Sequence, residues 1–150
     1  MQIEEFRFSH ALRVRWAEAD LQGIVFNGHY LTYADVGITE YFRAMGQTYS
    51  GETGANGSDF FAVRTLLEYR SPARFDDMLD VHVRIARLGN SSMQFLIGIY
   101  REQELLVNGE IVYVHADQSS RRPSPIPQTF RDAVTAFERL PPESGPVRKE

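Results

Sequence analysis

Asn27-Gly28-His29-Tyr30-Leu31-Thr32-Tyr33-Ala34-Asp35-Val36-Gly37-Ile38-Thr39-Glu40-Tyr41-Phe42-Arg43-Ala44-Met45-Gly46 is the stretch on which the fold turns. Tyr30, Tyr33, Ala34, Gly37, Ile38, Tyr41, Phe42 and Met45 follow the i, i+3, i+4, i+7 rule and make one wide, aromatic stripe. Thr32, Asp35, Thr39, Glu40 and Arg43 take the other side. The spacing predicts a helix from His29 to Met45, with Asn27 as N-cap and Gly46 just past its end. A stripe this wide needs a large apolar partner, and a sheet is the simplest one.

Working upstream, Leu12, Val14 and Trp16 alternate with Arg13 and Arg15, so residues 7–16 read as a half-buried strand and 17–27 as a loop. That loop holds two acids. Asp20 sits just ahead of a helix N-terminus, where free N–H groups and a partial positive charge favour an oxyanion. A carboxylate beside such donors is the makings of a hydrolytic site. Glu18 reads as a solvated loop acid. Gly23 fits a tight turn.

Downstream, residues 47–58 are rich in glycine and read as a loop. Four alternating runs follow: Phe61 to Tyr69, Leu79 to Ile85, Met93 to Ile99, and Leu105 to Ala116, where Gly109 suggests a bulge or kink. Short connections at Gly89-Asn90 and Glu102-Gln103 imply antiparallel pairing of the last three. Pro123 to Pro127 leads into a short helix with Phe130, Ala133, Val134 and Phe137 inward, and the tail from Pro141 reads as disordered. The expectation is one α+β domain over 1–150, with an ordered core of about 6–140.

Composition narrows the chemistry. The chain has 150 residues, 43% hydrophobic, and a net charge of −4, which disfavours nucleic acid as the main partner. It has no cysteine, so disulfides, a thiolate nucleophile and cysteine–zinc sites are excluded. His10, His29, His82 and His115 lie at no ligand-like spacing, and no metal or other cofactor is expected. The acidic start Met1 to Glu5 is unlike a signal peptide and no apolar run would span a bilayer, so the expected location is cytoplasmic, away from membranes.

Three segments carry a resemblance. Asp20-Leu21-Gln22-Gly23-Ile24-Val25-Phe26-Asn27-Gly28-His29-Tyr30 is similar to a motif that fixes an aspartate, a glycine, an aromatic residue and a helix tyrosine at set spacing. Tyr69 to Leu79 resembles the link into the third strand of the same family. Gly89 to Phe95, followed by Asn108-Gly109-Glu110 and a strand ending at Asp117, resembles its later hairpins. Together they make the chain look like a hotdog acyl-CoA thioesterase of the 4-hydroxybenzoyl-CoA-thioesterase-like group, over most of residues 8–130.

The resemblance implies a hotdog fold: an antiparallel five-stranded sheet wrapped around one long helix, with a short C-terminal helix. It implies hydrolysis of an acyl-CoA, with Asp20 as nucleophile or general base. Backbone N–H groups at Asn27 and Gly28 would polarise the thioester carbonyl. Phe26, His29 and Tyr30 would touch substrate, and Arg121 and Arg122 would face the coenzyme A phosphates. His29 stands where the family usually has asparagine, which brings a titratable ring to the pocket. Phe26, Tyr30, Tyr33, Phe60 and Phe61 suggest an aromatic acyl pocket or ordinary core. Gly89-Asn90-Ser91 lacks the basic residues that relatives carry there, so an acyl-carrier-protein thioester is an alternative substrate. A non-catalytic acyl-CoA binding module is a second alternative. A hydratase ranks below both, since no paired Asp–His motif is evident. Hotdog subunits pair through their sheets, implying a homodimer or homotetramer with sites at the seam.

Overall fold

A computed structural model describes residues 1–47 and 57–146. In chain order it runs β1 (Phe8–Arg13), α1 (His29–Ala44), β2 (Ser58–Tyr69), β3 (Met78–Leu88), β4 (Ser92–Arg101), β5 (Glu104–Asp117), α2 (Gln128–Phe137) and β6 (Glu143–Ser144), with a short 3-10 turn at Trp16–Glu18. The main sheet has the order β1-β3-β4-β5-β2, and every neighbouring pair is antiparallel. This is the hotdog arrangement: a sheet curled around a single long helix.

The core lies between α1 and the inner face of the sheet. Leu79, Val81, Val83 and Ile85 of β3 and Met93, Phe95, Ile97 and Ile99 of β4 are fully buried, as the alternation requires. Tyr30, Tyr33, Ala34, Gly37, Ile38, Tyr41 and Phe42 form the buried face of α1. Gly37 is where the helix comes closest: a Cβ there would lie 2.5 Å from Val81 and 3.0 Å from Val83. At the helix end Gly46 takes φ +81°, and Gln47 N–H reaches back to the Phe42 carbonyl (2.8 Å), a Schellman closure.

Several sequence expectations are corrected. The first strand ends at Arg13 instead of residue 16, because Val14 turns away to exchange hydrogen bonds with Asp76 and Asp77. The N-cap of α1 is Gly28, already helical at φ −64° and ψ −24°, and no side chain caps it; Asn27 sits one residue outside. Gly109 makes no bulge. It stays in register between Leu67 and Ile97, and its missing side chain leaves room for the Leu66 carbonyl. The bulges fall instead at Ala62/Arg64, Ile85/Arg87 and Ile99/Tyr100.

The tail is not structureless from Pro141. Glu143–Ser144 pairs in parallel with Arg87–Leu88, beyond the point where β1 stops, and Arg87 also binds the Glu143 carboxylate. The predicted loop at 47–58 ends one residue early, since Ser58 already belongs to β2, and residues 48–56 lie outside the described residues. The proline-led helix α2 forms as predicted, with Phe130 and Val134 buried against the core.

Candidate active site

The loop between the 3-10 turn and α1 is stitched shut. Asp20 N–H donates to the Ile24 carbonyl (2.8 Å), and Gly23 N–H returns a bond to the Asp20 carbonyl (3.0 Å). Gly23 has φ +78°, a left-handed turn that suits glycine. An Ala19–Val25 bridge lies behind it, and Ile24 and Val25 are tied across to Arg74 and Ala73. The half-buried Asp20 carboxylate accepts one local bond, from Gln22 N–H (2.8 Å). Asp20 is thus presented on a rigid turn with acceptor capacity to spare.

The helix begins directly after this loop. His29 N–H bonds to the Phe26 carbonyl (3.0 Å) and Tyr30 N–H to the Asn27 carbonyl (3.3 Å). The N–H groups of Asn27 and Gly28 donate to no acceptor among the described residues. They are the open donors of a helix N-terminus.

A cleft of about 250 Å³ opens here, lined by Ile24, Val25, Asn27, Tyr30, Tyr69 and Arg70 among others. Tyr30 forms its floor. Its hydroxyl accepts Ala73 N–H (3.0 Å), and its ring lies 5.6 Å from that of Tyr69. Burial pushes the Tyr30 hydroxyl up despite that bond, and the nearby charge of Asp20 adds to the effect. Tyr30 is thus a wall of the cleft whose hydroxyl stays protonated. The Tyr69 hydroxyl leans on the Asn27 carbonyl at 3.4 Å.

Phe26 is 52% exposed and packs edge-on against the His29 ring at 5.9 Å. A Cβ on Gly28 would come within 3.1 Å of the Phe26 ring, so this glycine keeps the helix entrance open. Asp20, Phe26, Asn27, Gly28, His29 and Tyr30 are thus gathered at one end of the molecule.

Arg121 and Arg122 are elsewhere. They follow β5, whose end pairs with Ser58, whereas the cleft lies beside Tyr69 at the other end of β2. The eleven residue-to-residue steps from Ser58 to Tyr69 span roughly 36 Å at about 3.3 Å each. Arg121 lies over the Phe61 ring, 5.1 Å from its centroid. Within one copy the two arginines do not meet the cleft. The suggested aromatic pocket is also dispersed: Tyr33 is buried under the loop, Phe60 packs on Phe42 and Phe130, and Phe61 lies under Arg121.

Two residues were missed or misread in the sequence. Arg70 lines the cleft and is braced by Asn108 (2.8 Å) and Glu68 (3.6 Å). Its position just past an alternating strand was the available signal. Glu18 is no solvated acid: it is 4% exposed. Its carboxylate accepts bonds from Arg15 N–H (2.8 Å), the Arg15 guanidinium (2.8 and 3.3 Å) and the Tyr33 hydroxyl (2.9 Å). Burial alone would raise this carboxyl, but the bonds from Arg15 and Tyr33 together hold it below the usual carboxylate range. Among the described residues no three His, Asp or Glu side chains are grouped to hold a metal, and no helix is long and apolar enough to cross a membrane.

With this geometry in place, the relatives are informative. The model of the Thioesterase superfamily matches residues 22–108, and the chain belongs to that family. It is an enzyme of the thioester-hydrolase class. Over 125 residues it is 27% identical to the acyl-CoA thioester hydrolase YbgC of Escherichia coli O6:H1, covering 82% of this chain and 92% of that one. The crystal structure of the PA5185 protein from Pseudomonas aeruginosa superposes with a TM-score of 0.77 at 28% identity, covering 90% of this chain and 94% of that one. Slr0204, a 1,4-dihydroxy-2-naphthoyl-CoA thioesterase from Synechocystis, shares the fold with a TM-score of 0.78 at 18% identity, covering 85% and 94% of the two chains.

Proposed function

We propose that this protein hydrolyses an acyl-CoA to the free acid and coenzyme A, with Asp20 and the start of α1 as its catalytic parts. The observation that carries the reading is the pair of open N–H groups at Asn27 and Gly28, beside a cleft and next to a loop that presents a carboxylate. Those donors would hold the carbonyl oxygen as it gains negative charge. Asp20 would either attack the carbonyl, giving a mixed anhydride that water then cleaves, or take a proton from the attacking water. Either route releases the thiol and needs no cofactor. The relatives named above supply the substrate class.

A homodimer fits the same structure. Among the described residues β2 pairs only with β5 and leaves a twelve-residue edge open, with Val63 60% exposed. A trough of about 330 Å³ runs between α1 and β2, lined by Leu31, Asp35, Ala62 and Thr65. Such an edge and trough suit a second copy. Antiparallel pairing of two β2 strands would set the Ser58 end of one copy beside the Tyr69 end of the other. Arg121 and Arg122 would then approach the cleft across the seam and could meet the phosphates.

The test is thiol release from aryl and from short to long aliphatic acyl-CoAs, with wild type and Asp20→Asn side by side. Turnover that collapses in the variant supports the reading. Full activity in Asp20→Asn would remove Asp20 from it, and binding without turnover across the panel would favour a binding module. Light scattering that finds a monomer at micromolar concentration would rule out the dimer.

A further inference from the structure

Glu18 touches no part of the cleft, yet it is the most heavily bonded acid near it. All of its side-chain partners are donors, and an ionised carboxylate is the acceptor-only group that satisfies them together. Its main chain is engaged as well. The Glu18 carbonyl accepts Phe26 N–H (3.0 Å), and the Phe26 carbonyl in turn accepts His29 N–H at the helix start. Residues 18 and 26 therefore form the neck of the Asp20 loop. The neck is tied to the body of α1 through Tyr33, one turn beyond Tyr30, and to the end of β1 through Arg15.

We propose that Glu18 is a positioning residue, whose clamp on Tyr33 and Arg15 sets the Asp20 carboxylate at its working distance from the open N–H groups of Asn27 and Gly28. This rests on the assignment of Asp20 as the catalytic carboxylate. Two halves of a site carried on different segments work only if the distance between them is fixed. A shift of about 1 Å in such a pair costs on the order of a hundredfold in rate. A glutamine at position 18 would turn an NH₂ group toward one of the donors, and the neck would have to move.

The test is a cycle of Glu18→Gln, Asp20→Asn and the double variant, each measured for kcat and KM. Tyr41→Phe, at the other end of α1, serves as a control that loses a buried hydrogen bond away from the cleft. The expected result is a fall in kcat of about tenfold or more in Glu18→Gln, with KM changed less than about threefold. Tyr41→Phe should keep wild-type kcat, and the double variant should be no slower than Asp20→Asn alone. Tyr33→Phe should lower kcat by a smaller factor in the same sense, and it carries the test if Glu18→Gln does not fold.

Wild-type kcat in folded Glu18→Gln, or in Tyr33→Phe, overturns the clamp while leaving Asp20 in place. A full further loss in the double variant overturns it too, because Glu18 would then act independently of Asp20. Wild-type activity in Asp20→Asn overturns the catalytic assignment itself, and the clamp with it.

Discussion

Helix α1 carries the same pair twice, with opposite results. Tyr33 donates its hydroxyl to Glu18 (2.9 Å), and Tyr41, two turns on, donates its hydroxyl to Glu138 (2.8 Å). Both acids are buried, 4% and 7% exposed. Glu18 also has the forked guanidinium of Arg15, and it is held below the usual carboxylate range despite its burial. Among the described residues Glu138 has Ile85 N–H (2.7 Å) but no arginine in bonding contact, and its Oε1 has no partner. There burial outweighs both hydrogen bonds and pushes the carboxyl up. Glu18 has a guanidinium in direct contact, whereas Glu138 is more strongly desolvated and feels Arg84 and Arg7 only at a distance, so the two carboxyls shift in opposite directions. The first pair is an ionic clamp beside the cleft. The second is a buried plug where α2 meets the sheet, its carboxyl raised by desolvation.

The widest separation between the two ends is expected in catalysis. Asp20→Asn should cost on the order of a hundredfold or more in kcat, while Tyr41→Phe leaves kcat unchanged; thiol release measures both. Next comes Gly37→Ala, midway between the two tyrosines. Its new methyl would meet Val81 and Val83 and should destabilise by about 1–3 kcal/mol, less up to about 1 kcal/mol of helix propensity. Because α1 would lift off β3, both pairs should loosen, and denaturant melts combined with kcat would show both losses.

A smaller contrast lies in stability near neutral pH. Glu18→Ala strands the buried Tyr33 hydroxyl and should cost about 1–3 kcal/mol, whereas Glu138→Gln removes an ionisation that burial opposes and should be neutral or stabilising. Denaturation midpoints at pH 8 would decide.

The smallest effect, and the sharpest in sign, is the pH dependence. A carboxyl lowered in the folded state stabilises above the unfolded value, about 4.3 for glutamate, and loses that contribution as pH falls through its folded value. The deficit of Glu18→Gln should therefore shrink on acidification. A raised carboxyl stabilises below the unfolded value and loses that contribution as pH rises through its folded value. Glu138→Gln should therefore gain on wild type as pH rises from about 4 to 8. Parallel trends in the two variants would break the comparison.

The frame was legible in the sequence wherever periodicity spoke. The face of α1 was read residue by residue, as were the inward positions of β3 and β4, because burial on one side imposes spacing. The loop and helix entrance proposed as the site stood out as a motif. What escaped was whatever depends on tertiary contact. Glu18 reads as solvated because its burial comes from a 3-10 turn folding under a tyrosine fifteen residues away. The signal was there in part: a tyrosine on a buried helix face needs a partner for its hydroxyl, and Arg15 stands three residues before Glu18. The separation of Arg121 and Arg122 from Asp20 follows from strand direction, which linear proximity to a motif does not reveal. Glu143–Ser144 is too short to show alternation at all.

That two-residue strand has a further consequence. A curled sheet with two long free edges could add copies at both, and the product would be an unending ribbon. Here one margin is broken into the six-residue β1 and the parallel stub of Glu143–Ser144, which run in opposite directions along β3. Among the described residues that margin offers a second copy no continuous template. The other margin, β2, is continuous apart from one bulge and twelve residues long. Growth through a single self-complementary margin would stop at two, so on the proposed pairing through β2 this broken margin would keep a dimer from extending into a ribbon.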